Sequence, residues 1–191
     1  NYFLHQSDVT FNMKKNSMEV HERRVEPWTI TLVDTGEKSM TGGRLGKVSE
    51  YIKGEDAFCF TYGDGVSDID ISKLIEFHKK HGKDATLTAV YPPGRFGVLN
   101  IKDNQIKKFI EKPKGDGALI NGGFFVLSPK VLKRISGDHC IWEQEPLKGL
   151  AADGNLMSYM HEGFWQPMDT LRDKKYLQDL WEKGNAPWKT W

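Results

Sequence analysis

The chain has 191 residues, with 27 basic and 26 acidic side chains and a formal net charge of +1. That length suits one sizeable domain, or one domain with a small appendage. The charge balance excludes a long-range electrostatic footprint for nucleic acid or a membrane surface, but leaves room for a local anion site.

No run approaches the roughly 18 apolar residues of a membrane span, and no signal-peptide pattern opens the chain. The two cysteines, Cys59 and Cys140, lack metal-ligand spacing, and Cys59 lies in an apolar run that reads as a buried strand. A soluble cytoplasmic protein in a reducing compartment is the expectation. Asn1 to His5 reads as the tail of an amphipathic helix begun earlier, so the sequence is expected to be a piece of a longer chain.

Val9–Met13 and Met18–Val25 alternate loosely and predict a hairpin across Lys14–Ser17. Trp28–Val33 predicts a stronger strand, closed by Asp34-Thr35-Gly36. Leu45, Val48 and Ile52 recur at helical spacing, which predicts a helix from about Gly43 to Lys53. Ala57–Tyr62 is a short apolar run between turn residues, the signature of a central parallel strand covered on both faces. Ile71, Leu74, Ile75 and His78 mark an amphipathic helix, and Thr86–Tyr91 is a β-branched strand.

Val98–Ile101 and Gln105–Ile110 predict a second hairpin across Asp103-Asn104. Ala118–Leu127 contains a further strand. Ser128-Pro129 opens a helix, with Ser as N-cap. A helix near Gln144–Ala152 and a strand over Leu156–His161 follow. Thr170 and Asp173 form a capping box for a helix carrying Leu177, Leu180 and Trp181. The terminal Pro187–Trp191 reads as an exposed aromatic tail suited to packing on another subunit. Alternation of strands and helices predicts an α/β fold with a largely parallel sheet and added antiparallel hairpins, with ligands beyond the carboxyl ends of the strands.

Chemistry has five candidate stretches. Asp64, in Tyr62-Gly63-Asp64-Gly65, lies just past a strand end and is either a turn residue or a ligand for a hard cation such as Mg²⁺. Asp169 either favours the dipole of the following helix or is a second ligand. Lys112, in a Pro/Gly-rich loop, can reach a phosphate as a point charge, and Glu111 can accept hydrogen bonds from sugar hydroxyls; the alternative is a solvated ion pair. Asn121 offers a donor and an acceptor to a polyol, while Gly122 and Gly123 mark either close ligand approach or a β-bulge. Thr41-Gly42-Gly43-Arg44 opens a helix and can turn backbone N–H groups towards an anion or a base edge. The six histidines are scattered without a zinc pattern, and no Gly-x-Ser-x-Gly elbow occurs.

The order of these stretches is more specific than any one of them. YGDG, PPGRFG, EKPKGDGALINGGFFVLSP, WEQEPL and GFWQPMDTLRDKKYL together strongly resemble the sugar-1-phosphate nucleotidyltransferases, along nearly the whole chain. GFWQPMDTLRD and APWKTW resemble the cytidylyl branch of that family.

The resemblance implies a three-layer αβα, Rossmann-like domain with an added β region. It implies transfer of a cytidylyl group from CTP to glucose 1-phosphate, giving CDP-glucose and pyrophosphate for deoxysugar and O-antigen type pathways. It also implies Mg²⁺ on Asp64 and Asp169, sugar-phosphate contacts from Glu111, Lys112, Gly97, Asn121 and Gly122, base recognition by Thr41, Gly42 and Arg44, and a homo-oligomer. A dTTP- or UTP-dependent transferase, or a non-catalytic oligomerisation module of the same fold, are the other readings.

Family members open with a strand, GGxGTRL and a nearby lysine that cradle the triphosphate. Neither element occurs in this sequence. The expected organisation is therefore the C-terminal portion of one nucleotidyltransferase domain over 1–191, with a β-hairpin appendage over 9–33 and the closing helices and strands over 128–191. These 191 residues alone are expected to make little CDP-glucose; a synthesis assay on the purified chain checks this, and robust turnover would refute it.

Overall fold

The computed structural model describes residues 7–23, 28–94, 98–102, 104–110 and 118–190. The chain falls into two compact units, Asn1–Asp34 and Thr35–Trp191. In the first, strand β1 (Ser7–Asn12) pairs antiparallel with β2 (Ser17–Arg23), Asn12 facing Ser17. Asn12 Oδ1 accepts the Lys15 N–H at 3.0 Å, and Asn16 takes a positive φ of 48° that closes the turn.

The predicted hairpin is present. The predicted strand over Trp28–Val33 is not: the segment joins no ladder among the described residues, and Trp28, Ile30 and Leu32 are exposed. Strand propensity reflects packing against neighbours, and there no neighbouring strand supplies it.

The second unit opens with helix α1 (Thr41–Lys47), followed by one 3₁₀ turn (Ser49–Tyr51). The predicted single helix to Lys53 is thus shorter and broken at Val48. Then come β3 (Phe58–Thr61), β4 (Gly65–Ser67), α2 (Ile71–His81), β5 (Ala85–Val90), and the antiparallel hairpin of β6 (Val98–Lys102) and β7 (Gln105–Ile110). Strand β8 (Ile120–Leu127), a 3₁₀ helix (Pro129–Arg134), α3 (Glu145–Ala152), β9 (Leu156–His161), β10 (Trp165–Pro167) and α4 (Leu171–Glu182) complete it. Among the described residues no helix is long and apolar enough to cross a membrane.

The main sheet has the order β3–β8–β5–β9. β5 and β9 pair parallel, and β8 pairs antiparallel with both β3 and β5. Three of the four strands therefore run the same way, with the reversed one in the interior of the sheet and not in an added hairpin. Strand alternation sends β8 side chains to both faces. Phe125 and Leu127 join Leu45, Ala85, Val131, Trp142 and Leu150 in one core, and Val126 joins Ile69 and Leu74 in the other. Helices thus cover both faces, giving an αβα arrangement.

β3 is an edge strand here, with β8 as its ladder partner. Phe58 and Phe60 pack into the larger core while Cys59 is exposed. The reading of Cys59 as buried is corrected: alternation turns it to the face opposite that core. Cys140 is buried. Of the aromatic tail, Trp188 lies against the Phe164 ring at 5.4 Å and Lys189 Nζ sits 4.9 Å from the Trp181 ring centroid, so Trp188 is half-buried on its own chain; Trp191 lies outside the described residues.

One polar cluster lies under α2. Thr86, fully buried, places its hydroxyl 2.9 Å from His78 Nδ1 and 2.7 Å from His81 Nε2. The hydroxyl can donate to one neutral ring and accept from the other, but two imidazolium rings with centroids 5.2 Å apart would repel across it. Burial pushes both imidazoles below their ordinary value; the neighbouring His81 adds to this at His78, where Asp84 partly opposes it, and Lys83 adds to it at His81.

The unfolded chain therefore binds these protons more readily than the folded one. The contribution to stability is complete above the ordinary histidine pKa of about 6.5 and is lost as pH falls through the depressed folded values. The urea midpoint should fall between about pH 7.5 and about pH 5. His78→Gln with His81→Gln should flatten that dependence, and an unchanged slope in the double variant would refute the assignment.

Candidate active site

β3 delivers Tyr62 and Asp64 at its carboxyl end. The short ladder between β4 and β10 then fixes this turn, with Gly65 facing Pro167, Val66 facing Gln166 and Ser67 facing Trp165. The Met168 N–H extends it by donating to the Asp64 carbonyl at 2.8 Å. The Asp64 turn and the Met168-Asp169 turn, remote in sequence, thereby lie side by side. Both aspartates are exposed.

A clasp secures the far end of this ladder. Ser67 Oγ donates to the Phe164 carbonyl at 2.7 Å, and the Phe164 N–H donates to Asp68 Oδ1 at 2.8 Å. His161 Nε2 lies 3.0 Å from Asp68 Oδ1 and 3.2 Å from Ser67 Oγ. Serine, histidine and aspartate meet here, but both partners address the same ring nitrogen. A relay needs the acid and the nucleophile on opposite nitrogens, so the cluster is structural.

Asp169 immediately precedes Thr170, the N-cap of α4. Thr170 Oγ1 accepts the Asp173 N–H at 3.2 Å, and Asp173 Oδ2 accepts the Thr170 N–H at 3.0 Å. The helix start is therefore capped without the Asp169 carboxylate. A cavity of about 480 Å³ adjoins this turn, lined in part by Gly94, Gln166, Thr170, Arg172 and Tyr176.

The two turns fit a hard cation. Mg²⁺ takes one or two protein carboxylates and fills its shell with water and phosphate oxygens, so two adjacent aspartates suffice. Among the described residues no group of three or more His, Cys, Asp or Glu is placed to hold a metal ion.

Asn121 is the second residue of β8, beside this end of the sheet. Its Oδ1 accepts the Gly123 N–H at 2.8 Å, and its side chain also hydrogen-bonds the Tyr62 phenol. Gly122 and Gly123 answer to a close approach of protein. A side chain at Gly122 would meet Val90 and the Thr88 carbonyl, where the β5–β8 register is irregular; at Gly123, with φ of 78°, it would meet the Tyr62 ring. Trp165 Nε1 donates to the Gly122 carbonyl at 2.8 Å.

The Thr41–Arg44 segment is also accounted for largely by protein. Gly42 and Gly43 are buried against Cys140 and Asp138, and the Gly43 N–H donates to the Cys140 carbonyl at 3.1 Å. Arg44 is exposed, with Nη1 on Thr35 Oγ1 at 2.6 Å and Nη2 on the Glu37 carbonyl at 3.2 Å. Gly97, Glu111 and Lys112 lie outside the described residues.

Two residues that the sequence reading gave no role complete this end of the sheet. The Tyr62 phenol donates to Glu143 Oε1, and Thr41 Oγ1 donates to Glu143 Oε2 at 2.8 Å. Burial, the Glu143 hydrogen bond and the Glu143 charge push the Tyr62 phenol well above its ordinary value; the Asn121 hydrogen bond partly opposes this, and Asp64 adds a little to it. WEQEPL stood out as a motif, but nothing local distinguishes Glu143 from Glu145.

The clasp yields a stability prediction. A methyl group at Gly163 would run into Asp68 Oδ1 and the His161 ring, whereas one at Gly63 meets open space. Gly163→Ala should lower stability by about 1–3 kcal/mol, read as a lower urea midpoint, while Gly63→Ala leaves it unchanged. Equal midpoints for the two variants would show that the clasp is not tightly packed.

Residues 9–170 match the family described as nucleotidyl transferase. The chain is 68% identical over all 191 residues to the glucose-1-phosphate cytidylyltransferase of Salmonella typhimurium, and covers 74% of that protein. It is 40% identical over 145 residues to the mannose-1-phosphate guanyltransferase of Aspergillus fumigatus, which is 72% of this chain and 39% of that one.

Among solved structures, HddC from Yersinia pseudotuberculosis superposes with a TM-score of 0.57 at 22% identity, over 76% of this chain and 64% of that one. Apo UDP-glucose pyrophosphorylase gives a TM-score of 0.58 at 16% identity, over 80% and 63%. These structures share the fold, and the sequence match settles descent: the chain belongs to the nucleotidyl transferase family.

Proposed function

We propose that this chain carries the metal and sugar-phosphate side of a site that transfers a cytidylyl group from CTP to glucose 1-phosphate. The observation that carries the reading is the ladder of β4 with β10, which sets the Asp64 and Asp169 turns side by side. The choice of base and sugar is supported by 68% identity, across the whole chain, to a relative named for that reaction.

In this reading a phosphate oxygen of glucose 1-phosphate attacks the α-phosphorus of CTP in line. A new P–O bond forms as the bond to the leaving pyrophosphate breaks. No protein nucleophile is needed, so the work of the site is positioning and neutralising charge. Asp64 and Asp169 would hold Mg²⁺, which when bound supplies positive charge against the phosphates.

Lys112 would place a point charge on the sugar phosphate, and Glu111 and Gly97 would contact the sugar. The Asn121 NH₂ group donates to the sugar beside Gly122, and Thr41, Gly42 and Arg44 face the base. Arg172, exposed in the cavity beside Asp169, offers a further cation.

Calorimetry of CDP-glucose binding with and without Mg²⁺ tests the proposal. Binding should be Mg²⁺-dependent, and Asp64→Asn and Asp169→Asn should each weaken it by about tenfold or more, 1.4 kcal/mol. Lys112→Ala should weaken glucose 1-phosphate binding with the circular dichroism spectrum unchanged. Affinity indifferent to Mg²⁺ and to both aspartates would refute the metal assignment. Tighter binding of the dTDP or UDP sugar would refute the base.

A further inference from the structure

Glu143 joins two parts of the molecule that the sequence keeps far apart. Its Oε2 accepts from Thr41, the first residue of α1, at 2.8 Å, and its Oε1 accepts from Tyr62, two residues before Asp64. Thr41 Oγ1 in turn accepts the Trp142 N–H at 2.9 Å. A carboxylate accepts only, so two hydroxyl donors satisfy one oxygen each without conflict.

The surroundings make this bridge rigid. Trp142 is fully buried, with its ring 6.0 Å edge-on to both Phe60 and Phe125. That anchors the backbone from which Glu143 projects. The Tyr62 ring is held by Phe60 at 5.7 Å and Phe125 at 5.8 Å, and it fills the space that a side chain on Gly123 would need. The start of α1, by contrast, has no side-chain cap of its own and no acidic residue in its first turn. It is tied from outside, by Met40 N–H on the Asp138 carbonyl at 2.9 Å, Gly43 N–H on the Cys140 carbonyl at 3.1 Å, and Thr41 on Glu143.

We infer that Glu143 is a positioning residue, whose carboxylate fixes the separation between the Thr41–Arg44 segment and the Asp64 turn. Two hydroxyls on one carboxylate act as a spacer between the segment assigned to the base and the carboxylate assigned to the metal. Removing the carboxylate takes away the one partner that the two hydroxyls share, and leaves Thr41 Oγ1 with the Trp142 N–H and the Tyr62 phenol with Asn121. The functional consequence rests on the nucleotidyl-transfer reading; the mechanical one does not.

Two measurements on the same variants separate them. Glu143→Ala should raise amide hydrogen exchange by about tenfold or more in both 41–46 and 62–66, with β5 and β9 unchanged. It should also weaken Mg²⁺-dependent CDP-glucose binding by about tenfold or more. Glu143→Gln keeps an acceptor for Tyr62 and offers a donor to Thr41, so it should stay within about threefold of the parent in both readouts.

Exchange that rises in one segment only, throughout the sheet, or nowhere would overturn the spacer. Loosening of both segments with unaltered affinity would overturn the positioning role. If Glu143→Ala does not fold, Tyr62→Phe and Thr41→Val each remove one arm, and each should loosen its own segment and weaken binding. A parent protein that binds no CDP-glucose would refute the proposed function, and the exchange pattern would still decide whether Glu143 couples the two segments.

Discussion

Strand β8 is hydrogen-bonded to β3 on one side and β5 on the other, and it runs against both. Its alternating residues feed both cores, Phe125 and Leu127 on one face and Val126 on the other. Direction matters as much as burial. Because β8 is reversed, its first residues lie at the same end of the sheet as the last residues of β3 and β5. Asn121, Gly122 and Gly123 therefore arrive beside Tyr62 and not at the opposite end. The glycine pair then lets Tyr62 lie across the strand and Trp165 reach the Gly122 carbonyl. Without the reversal the polar residues that surround the site would be split between the two ends of the domain.

The site is a joint between elements more than a pocket cut into one of them. Asp64 belongs to the exit of β3, Asp169 to the approach to α4, Thr41 to the start of α1 and Glu143 to the approach to α3. Each is held by backbone bonds, buried rings or a satisfied helix cap. Such support is what keeps charged groups within the narrow tolerances that phosphoryl-type chemistry demands. The balanced formal charge fits the proposed role, in which neutralisation of phosphate would fall to local groups and a cation and not to the field of the whole molecule.

What the sequence disclosed follows the range of the interactions. The cap of Thr170 by Asp173, the Ser128-Pro129 helix start and the β6–β7 hairpin each depend on residues within a few positions, and local pattern found them. Asp64 and Asp169 drew attention because a turn directly behind a strand and a turn directly before a cap are local addresses, and the structure sets those two turns side by side. The Glu143 bridge was not, because its partners lie 81 and 102 residues away. Gly42, Gly43 and Gly122 drew attention as places for a ligand to approach, and the structure fills that space with Cys140, Asp138 and Val90. Composition cannot tell a backbone neighbour from a bound one. Cys59 and Trp28–Val33 show the matching error for apolar runs, since propensity says that a strand would suit them and nothing about which neighbours they have.

The pairing of β4 with β10 has a temporal side. It joins residues about a hundred positions apart, and closing a loop of that length costs roughly 4 kcal/mol of chain entropy. Contacts of such high sequence separation tend to form late in folding. During synthesis the Asp64 turn emerges long before its counterpart, and it remains a lone carboxylate until the last seventh of these 191 residues is available. On the proposed metal role, a divalent cation would find both aspartate turns only after β10 has closed on β4.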